Sequence, residues 1–215
     1  MKLFFDHQKR IFALLGIITG LILVQACGRQ LTPETSCNFV QNQNLQRVSW
    51  GSNTPVNIYM DSSYPAEYVI ALTGAIAQWN NIGQQLSKKD FFRLRTGSPG
   101  ASSPRQDGYT KIYMLNTWED DRRIEQARTT VYWSGSQIYE SDIRINHKDY
   151  DFYLADDRPD YSKVHLESLI VHELGHVLGL AHTHNTESVM QVSLANGKVR
   201  EEPQSPDIEA LQCEY

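Results

Sequence analysis

The chain has 215 residues, of which 40% are hydrophobic and 21% are charged. This balance is typical of a globular protein and excludes disordered, collagenous and multi-spanning membrane chains. Twenty basic against 25 acidic residues give a net charge of -5, which argues against nucleic acid as a partner. Three cysteines are too few for a small fold held together by disulfides, and the length allows one domain with its own hydrophobic core.

Residues 1–26 are predicted to be a signal peptide. Basic residues precede an apolar run over residues 11–24, which suits the core of an export signal and is too short to span a bilayer as a helix. The next residues, Val24-Gln25-Ala26-Cys27, resemble the bacterial lipobox, although glutamine is unusual before the small residue. The resemblance implies a lipid on Cys27 that anchors the protein in the bacterial cell envelope, and Gly28 favours the outer membrane. Ordinary cleavage at the same place, followed by secretion, is the alternative.

Residues 27–51 are polar, rich in Gln, Asn, Ser and Thr, and without sustained periodicity. This composition predicts a tether between the membrane and a domain that begins at residue 52. If Cys27 carries lipid, two cysteines remain, near opposite ends of the mature chain. Since exported proteins fold in an oxidising compartment, we predict a disulfide between Cys37 and Cys213.

Strands and helices are predicted from residue 56 onward. Alternation over residues 56–60 predicts a strand, and apolar residues at helical spacing predict a helix over residues 66–82 that ends at Gly83. Four further strand-like segments are separated by clusters of Gly, Ser, Pro and Asp. They lie at residues 91–94, 111–115, 128–133 and 143–145. The segment that follows, residues 164–181, has apolar residues on nearly every side of a helical wheel and predicts a buried helix.

Polar residues interrupt this buried helix at His172, Glu173 and His176. Each would cost several kcal/mol to bury without a partner, and a metal ion supplies one. Because residues four apart lie on one helical face with about 5 to 6 Å between Cβ atoms, both imidazoles can bind one Zn²⁺. Gly179 can adopt a positive φ that ends the helix and returns His182 to the same point as a third ligand. The fourth position is left for water.

The segment HELGHVLGLAH resembles the H-E-x-x-H-x-x-G-x-x-H signature of the metzincin zinc peptidases, and all of its defined positions match. Met190 would correspond to the methionine turn beneath the metal in these families. Thr183, which follows the third histidine, is nearest to the serine of the matrixins. Residues 75–80, 140–143 and 205–211 resemble the first helix, the strand before the zinc helix and the terminal helix of matrixins.

The resemblance implies an α+β fold of the metzincin-like zincin type. This fold has a mixed, twisted five-stranded sheet, two long helices and a small C-terminal subdomain below the zinc cleft. The catalytic domain would span residues 52–215, with an upper lobe over about 52–179 and a lower lobe over about 180–215. Since the stretch between Leu115 and Arg128 is short and lacks histidine, a second, structural zinc is not expected, and we predict one Zn²⁺.

The resemblance also implies a zinc-dependent endopeptidase that acts on extended protein or peptide substrates. The zinc-bound water, whose pKa falls toward about 7, would attack the scissile carbonyl, with Glu173 as general base. The substrate would add a strand beside residues 128–133, and residues 191–203 would wall its specificity pocket. The protein is expected to be a monomer.

Two other functions remain open: a surface binding module that keeps the zinc scaffold without turnover, and a zinc hydrolase of cell-wall amide crosslinks. An acidic cluster after the last predicted strand is a candidate Ca²⁺ site, although it lacks EF-hand spacing and a solvated loop is favoured. Its members are Asp149, Asp151, Asp156, Asp157 and Asp160. We expect His184 at the surface or behind the metal ligands rather than on the metal.

Overall fold

The computed structural model describes residues 36–154 and 160–215. The predicted signal peptide, the lipidation site Cys27 and the first part of the predicted tether lie outside these residues, as do Asp156 and Asp157. Within the described parts of the chain, no helix combines the length and the apolar character that a membrane span needs.

A mixed five-stranded sheet organises the molecule. Its strands are β1 (Val56–Met60), β2 (Phe92–Arg95), β3 (Thr110–Leu115), β4 (Ala127–Ser134) and β5 (Gln137–Asn146). Their spatial order is β2-β1-β3-β5-β4, with β4 antiparallel to β5 and the other neighbours parallel. The predicted strand positions are confirmed. β5 is much longer than expected because it forms a hairpin with β4 and pairs with it along nearly its whole length.

Two long helices pack beside the sheet, as predicted. They are α1 (Val69–Ser87), next to β2, and α2 (Leu166–Val177), next to β4 and β5. Trp79 of α1 is fully buried, and its Nε1 donates a hydrogen bond to the Val171 carbonyl oxygen of α2 at 2.9 Å. Two short parallel strands, β6 (Phe152–Tyr153) and β7 (Val164–His165), precede α2, and a terminal helix α3 (Ser205–Leu211) closes the fold. The α+β fold of the metzincin type is thereby confirmed.

The first helix ends one turn later than its sequence indicates. The predicted stop at Gly83 is wrong, because α1 continues to Ser87 and ends where Lys88 adopts a left-handed conformation, with φ 60°. A Cβ at Gly83 would collide with the Lys89 carbonyl oxygen and lie 3.2 Å from the Phe91 ring. The glycine is therefore needed for the close approach of the segment that leads into β2, not for ending the helix.

Residues 36–51, the described part of the predicted tether, pack against the domain. Phe39, Val48 and Trp50 are buried in the hydrophobic core. The backbone around Phe39 pairs with residues 179–181, through hydrogen bonds of 2.7 and 2.9 Å. The tether prediction is wrong for these residues, and the domain begins before residue 52. A few apolar side chains are enough to hold a polar segment against the domain when the domain offers an apolar surface to them. The composition of the segment does not show whether such a surface exists.

The two ends of the described domain meet. Cys37 and Cys213 form a disulfide across a sequence separation of 176 residues. Beside it, the Arg47 Nε and a Glu214 carboxylate oxygen are 2.5 Å apart, and the same carboxylate accepts a hydrogen bond from Ser49 Oγ at 2.7 Å. The structure thus joins the two cysteines that the sequence analysis paired, and it holds the N-terminal segment against the region that follows α3.

Candidate metal centre and active-site cleft

The end of α2 and the turn that follows bring three histidines together. Gly179 has φ 101°, and the backbone N–H groups of residues 179 and 180 bond back to the carbonyls of residues 176 and 175 at 2.9 and 3.0 Å. A Cβ at Gly179 would collide with the Val48 carbonyl oxygen of the N-terminal segment. The chain can reverse here because glycine tolerates this backbone conformation, and the reversal returns His182 toward His172 and His176.

The three imidazoles converge through their Nε2 atoms. The distances are 3.1 Å between His172 and His176, 3.1 Å between His172 and His182, and 3.0 Å between His176 and His182. In a tetrahedral site with Zn–N bonds of about 2.0 to 2.1 Å, ligand nitrogens lie about 3.3 Å apart, close to these values. Among the described residues, this trio is the one group of three or more His, Cys, Asp or Glu side chains whose ligand atoms could hold a metal ion.

The hydrogen bonds of the rings determine which nitrogen can bind a metal. His172 Nδ1 lies 2.8 Å from the Val189 carbonyl oxygen, and His176 Nδ1 lies 2.8 Å from that of Leu180. Because a carbonyl only accepts, each Nδ1 carries the proton and each Nε2 presents a lone pair. Lone pairs that converge within 3.1 Å repel one another unless a cation lies between them, so the donor set fits zinc.

Burial keeps these imidazoles neutral, which is the state that binds metal. It lowers the pKa of His172 to about 3, with a further contribution from the neighbouring His176. Burial likewise lowers the pKa values of His176 and His182. His182 is the most exposed of the three and lies on the open side of the site.

Met190 lies beneath the metal centre, fully buried against α2. A Cβ on Gly175 would collide with the Met190 sulfur, so this second glycine, at an undefined position of the motif, allows the close packing. The preceding residue, Val189, supplies the carbonyl that orients His172. The methionine turn therefore contacts the metal site through both a side chain and the backbone.

Asp207 of α3 holds that turn in place. Its carboxylate is 1% exposed and accepts hydrogen bonds from Ser188 Oγ and, at 3.1 Å, from the Val189 backbone N–H. It also accepts from the Gln204 backbone N–H at 2.9 Å, as part of the capping box of α3. The sequence analysis gave Asp207 no role at the site. An aspartate just inside a helix already has a capping function, so its local pattern does not reveal the second contact.

Glu173 points into the cleft from α2 and is 4% exposed. Its Oε2 accepts a hydrogen bond from Thr129 Oγ1 of β4 at 2.5 Å. Burial raises the pKa of Glu173 to about 7, although the bond from Thr129 opposes this shift. The carboxyl group can therefore take up or release a proton near neutral pH. Thr129 was not singled out from the sequence, because one threonine in a strand carries no distinguishing pattern.

A cleft of about 740 Å³ runs past the metal centre and Glu173. One wall is β4, which pairs only with β5 among the described strands and so has a free edge. The other walls come from α2, from residues 191–194 with Arg200, and from Val40 and Val48 of the N-terminal segment. An extended chain placed along β4 would pass directly beside the three histidines.

The remaining sequence candidates lie apart from the metal centre. His184 is exposed and outside the histidine group, as expected. In the acidic cluster, Asp149 accepts hydrogen bonds from Arg123 and Asn146, whereas Asp160 accepts from Ser162. Each of these two carboxylates thus has its own hydrogen-bond partners, and within the described residues the cluster forms no group that could hold a metal ion.

Comparison with known proteins agrees with this geometry. The sequence profile of the matrixin peptidase family matches residues 100–215, just over half of the chain. A segment of 52 residues is 42% identical to Metalloendoproteinase 2-MMP of Arabidopsis thaliana. That segment covers 24% of this chain and only 14% of the plant protein.

Proposed function

Because this chain belongs to the matrixin family, we propose that it is a zinc-dependent endopeptidase that cleaves extended polypeptides. One observation carries the proposal. Three imidazole Nε2 atoms converge within 3.1 Å of one another in a cleft that also contains a buried carboxyl group, Glu173.

His172, His176 and His182 would hold the zinc as neutral ligands. When bound, zinc supplies a Lewis acid that polarises the scissile carbonyl and lowers the pKa of water in the open position. Glu173 acts as the general base: it takes the proton from the attacking water and passes it to the leaving amine. The Thr129 hydroxyl keeps the Glu173 carboxylate directed toward β4, where the substrate lies.

The substrate binds as an additional antiparallel strand along the free edge of β4. Backbone hydrogen bonds to β4 would hold many sequences in this position. Ile124, Trp133 and Val192 line the cleft and are 89%, 41% and 57% exposed, so they offer apolar contacts to a bound chain. A long cleft with apolar margins supports a polypeptide substrate in preference to a small amide.

The test uses Glu173→Gln, which keeps the size of the side chain and removes the base. We expect zinc binding to persist while peptide hydrolysis falls by at least about 100-fold, the lower end for loss of a general base. Glu187→Gln is the matched control, since this glutamate is exposed in the loop after the third histidine. Undiminished turnover by Glu173→Gln would refute the assignment of the base.

A peptide library digested with and without a zinc chelator, and mapped by mass spectrometry, separates the possible activities. Chelator-sensitive cleavage at internal peptide bonds supports the endopeptidase. Zinc binding without any turnover supports the non-catalytic binding module. Release of cell-wall amide crosslinks in the absence of peptide cleavage supports the other hydrolase.

We also propose that the protein is exported and acts as a monomer anchored by a lipid on Cys27. The Cys37–Cys213 disulfide supports export, because such bonds persist in oxidising compartments. Radiolabelled palmitate should be incorporated by the wild-type chain and not by Cys27→Ser. Equal labelling of the two proteins would contradict the lipid anchor.

A further inference from the structure

We propose that the cleft selects substrates with a glutamate immediately after the scissile bond, whose carboxylate binds the guanidinium of Arg200. This inference rests on the proposed endopeptidase function and names its preferred substrate class. It derives from a cation in the cleft wall that forms no ion pair with any carboxylate of the described residues.

Arg200 lies close to the metal centre. It lines the cleft together with Leu169 and Leu194, and its backbone N–H donates to Ser168 Oγ at 2.7 Å. Ser168 precedes His172 by four residues on α2, which corresponds to about one helical turn of 5.4 Å. In addition to burial, the charge of Arg200 lowers the pKa of His172, so a substrate side chain next to the scissile bond can reach its guanidinium.

Only neutral groups hold the guanidinium of Arg200. Nη1 donates to the Gln191 side-chain oxygen, and Nη2 donates to the carbonyl oxygens of Gln191 at 3.3 Å and Ser193 at 3.0 Å. A guanidinium has five N–H donors, so at least two have no partner among the described residues. Within the same part of the chain, no carboxylate forms an ion pair with it.

The one other arginine among the described residues of the cleft wall already has a carboxylate partner. Arg128 donates to Glu125 through two hydrogen bonds, at 3.0 and 2.5 Å, and Arg122 adds a third bond to the same carboxylate at 3.2 Å. Asp207, whose charge reaches Arg200, is engaged by the methionine turn. Among the described residues, Arg200 is thus a partly buried cation with no carboxylate in direct contact; the charge of Asp207 acts on it from a distance, and burial lowers its pKa.

A carboxylate is the ligand that best satisfies this group. The planar guanidinium can bind both carboxylate oxygens at once, which makes such pairs stronger and more directional than bonds to neutral acceptors. Leu169 and Leu194, both buried, supply apolar surface for the methylene groups of the ligand. Glutamate carries its carboxylate on two methylene groups, one more than aspartate, and so offers more apolar surface to these leucines.

The direction of β4 determines which substrate residue reaches Arg200. The start of β4 lies beside residues 191–194, since Gln126 Nε2 donates to the Leu194 carbonyl oxygen at 2.9 Å. Its other end lies beside the N-terminal segment, where Asn42 Nδ2 donates to the Gly135 carbonyl oxygen at 2.8 Å. A peptide antiparallel to β4 therefore has its C-terminal half next to Arg200. The selected side chain follows the scissile bond.

The experiment compares two peptides that differ only by Glu or Gln after the cleaved bond. For the zinc-loaded wild-type protein we expect kcat/KM to favour the Glu peptide by at least about tenfold. Arg200→Gln should abolish this ratio while still cleaving the Gln peptide, and Arg200→Glu should favour a Lys peptide instead. Lys198→Gln, an exposed cation in the same loop, is the matched control and should keep the wild-type ratio.

A purely structural role for Arg200 would leave the Glu-to-Gln ratio of the wild-type protein near one, and such a ratio overturns the proposal. So does Arg200→Gln if it retains the preference. The comparison of the Glu and Gln peptides uses the wild-type protein alone. Loosening of residues 191–193 in an Arg200 variant therefore cannot produce the expected preference of the wild-type protein.

A binding measurement distinguishes failure of this inference from failure of the proposed function. Fluorescence anisotropy with zinc-loaded Glu173→Gln measures the affinity for both peptides without turnover. If the wild-type protein hydrolyses no peptide, the proposed activity fails. The selectivity still holds if the Glu peptide binds at least about tenfold more tightly than the Gln peptide and if this difference depends on Arg200. Equal binding of the two peptides overturns the selectivity.

Discussion

Replacing Asp207 by alanine should damage the metal centre, although this residue is not a ligand. Its carboxylate holds Ser188 and Val189, and the Val189 carbonyl in turn orients the His172 ring. The variant therefore tests whether the methionine turn positions a ligand or merely lies below the site.

The expected magnitude follows from the bonds lost. The Ser188 hydroxyl and the Val189 backbone N–H are buried and would both lose their acceptor. Each unsatisfied buried donor costs about 1 to 3 kcal/mol, so the free energy of unfolding should fall by about 2 to 6 kcal/mol. Loss of the cap at Gln204 adds about 1 kcal/mol. Since loss of a group that orients a ligand typically weakens metal binding about 10- to 100-fold, zinc affinity should fall by that factor.

Two measurements check these values. Urea unfolding of the zinc-free proteins gives the stability difference without the contribution of bound metal, and competition with a chelator gives the zinc affinity. Glu209→Ala, an exposed position on the same helix, is the control and should change neither quantity appreciably. Zinc affinity within about twofold of wild type, in a folded Asp207→Ala protein, would refute the link from Asp207 to His172.

Three further predictions concern the scaffold. Replacing Cys37 and Cys213 by serine should lower the free energy of unfolding by up to about 5 kcal/mol, the loop-closure value for a loop of this length, and urea unfolding should detect it. Gly175→Ala should cost about 1 to 3 kcal/mol because its Cβ meets the Met190 sulfur. The same substitution should cost less in a Met190→Ala background, and strictly additive costs would contradict the contact. Burial raises the pKa of Asp142 to about 7, so the folded state holds this proton more tightly than the unfolded chain, and stability should decline as pH rises from about 4 to about 7. Asp142→Asn should reduce the fall in the free energy of unfolding between pH 5 and pH 8. The same pH dependence in the variant and the wild type would refute this role of Asp142.

Local patterns were sufficient to predict the strands of the five-stranded sheet, the long helices and the convergence of three histidines. The period of apolar residues reports how one segment faces its surroundings, and the spacing of His172, His176 and His182 is set by helix geometry and one glycine turn. The same patterns were misleading at Gly83 and in residues 36–51. In both places the conformation depends on a distant segment that packs against the residue, and no local period records such a contact.

The sequence by itself determined the chemistry of the centre: which histidines can bind a cation, which carboxyl group lies beside them, and where the chain must turn after the helix. Only the tertiary structure decided how these groups are supported. It brought Thr129 to Glu173, Asp207 to the turn below His172, and Arg200 to the cleft wall, where no carboxylate of the described residues pairs with it. The physical reason is that a helix and a tight turn are held by contacts between near neighbours in the chain. The supporting hydrogen bonds join residues 18 to 44 positions apart, and these meet only when the sheet, the helices and the two ends of the domain have packed together.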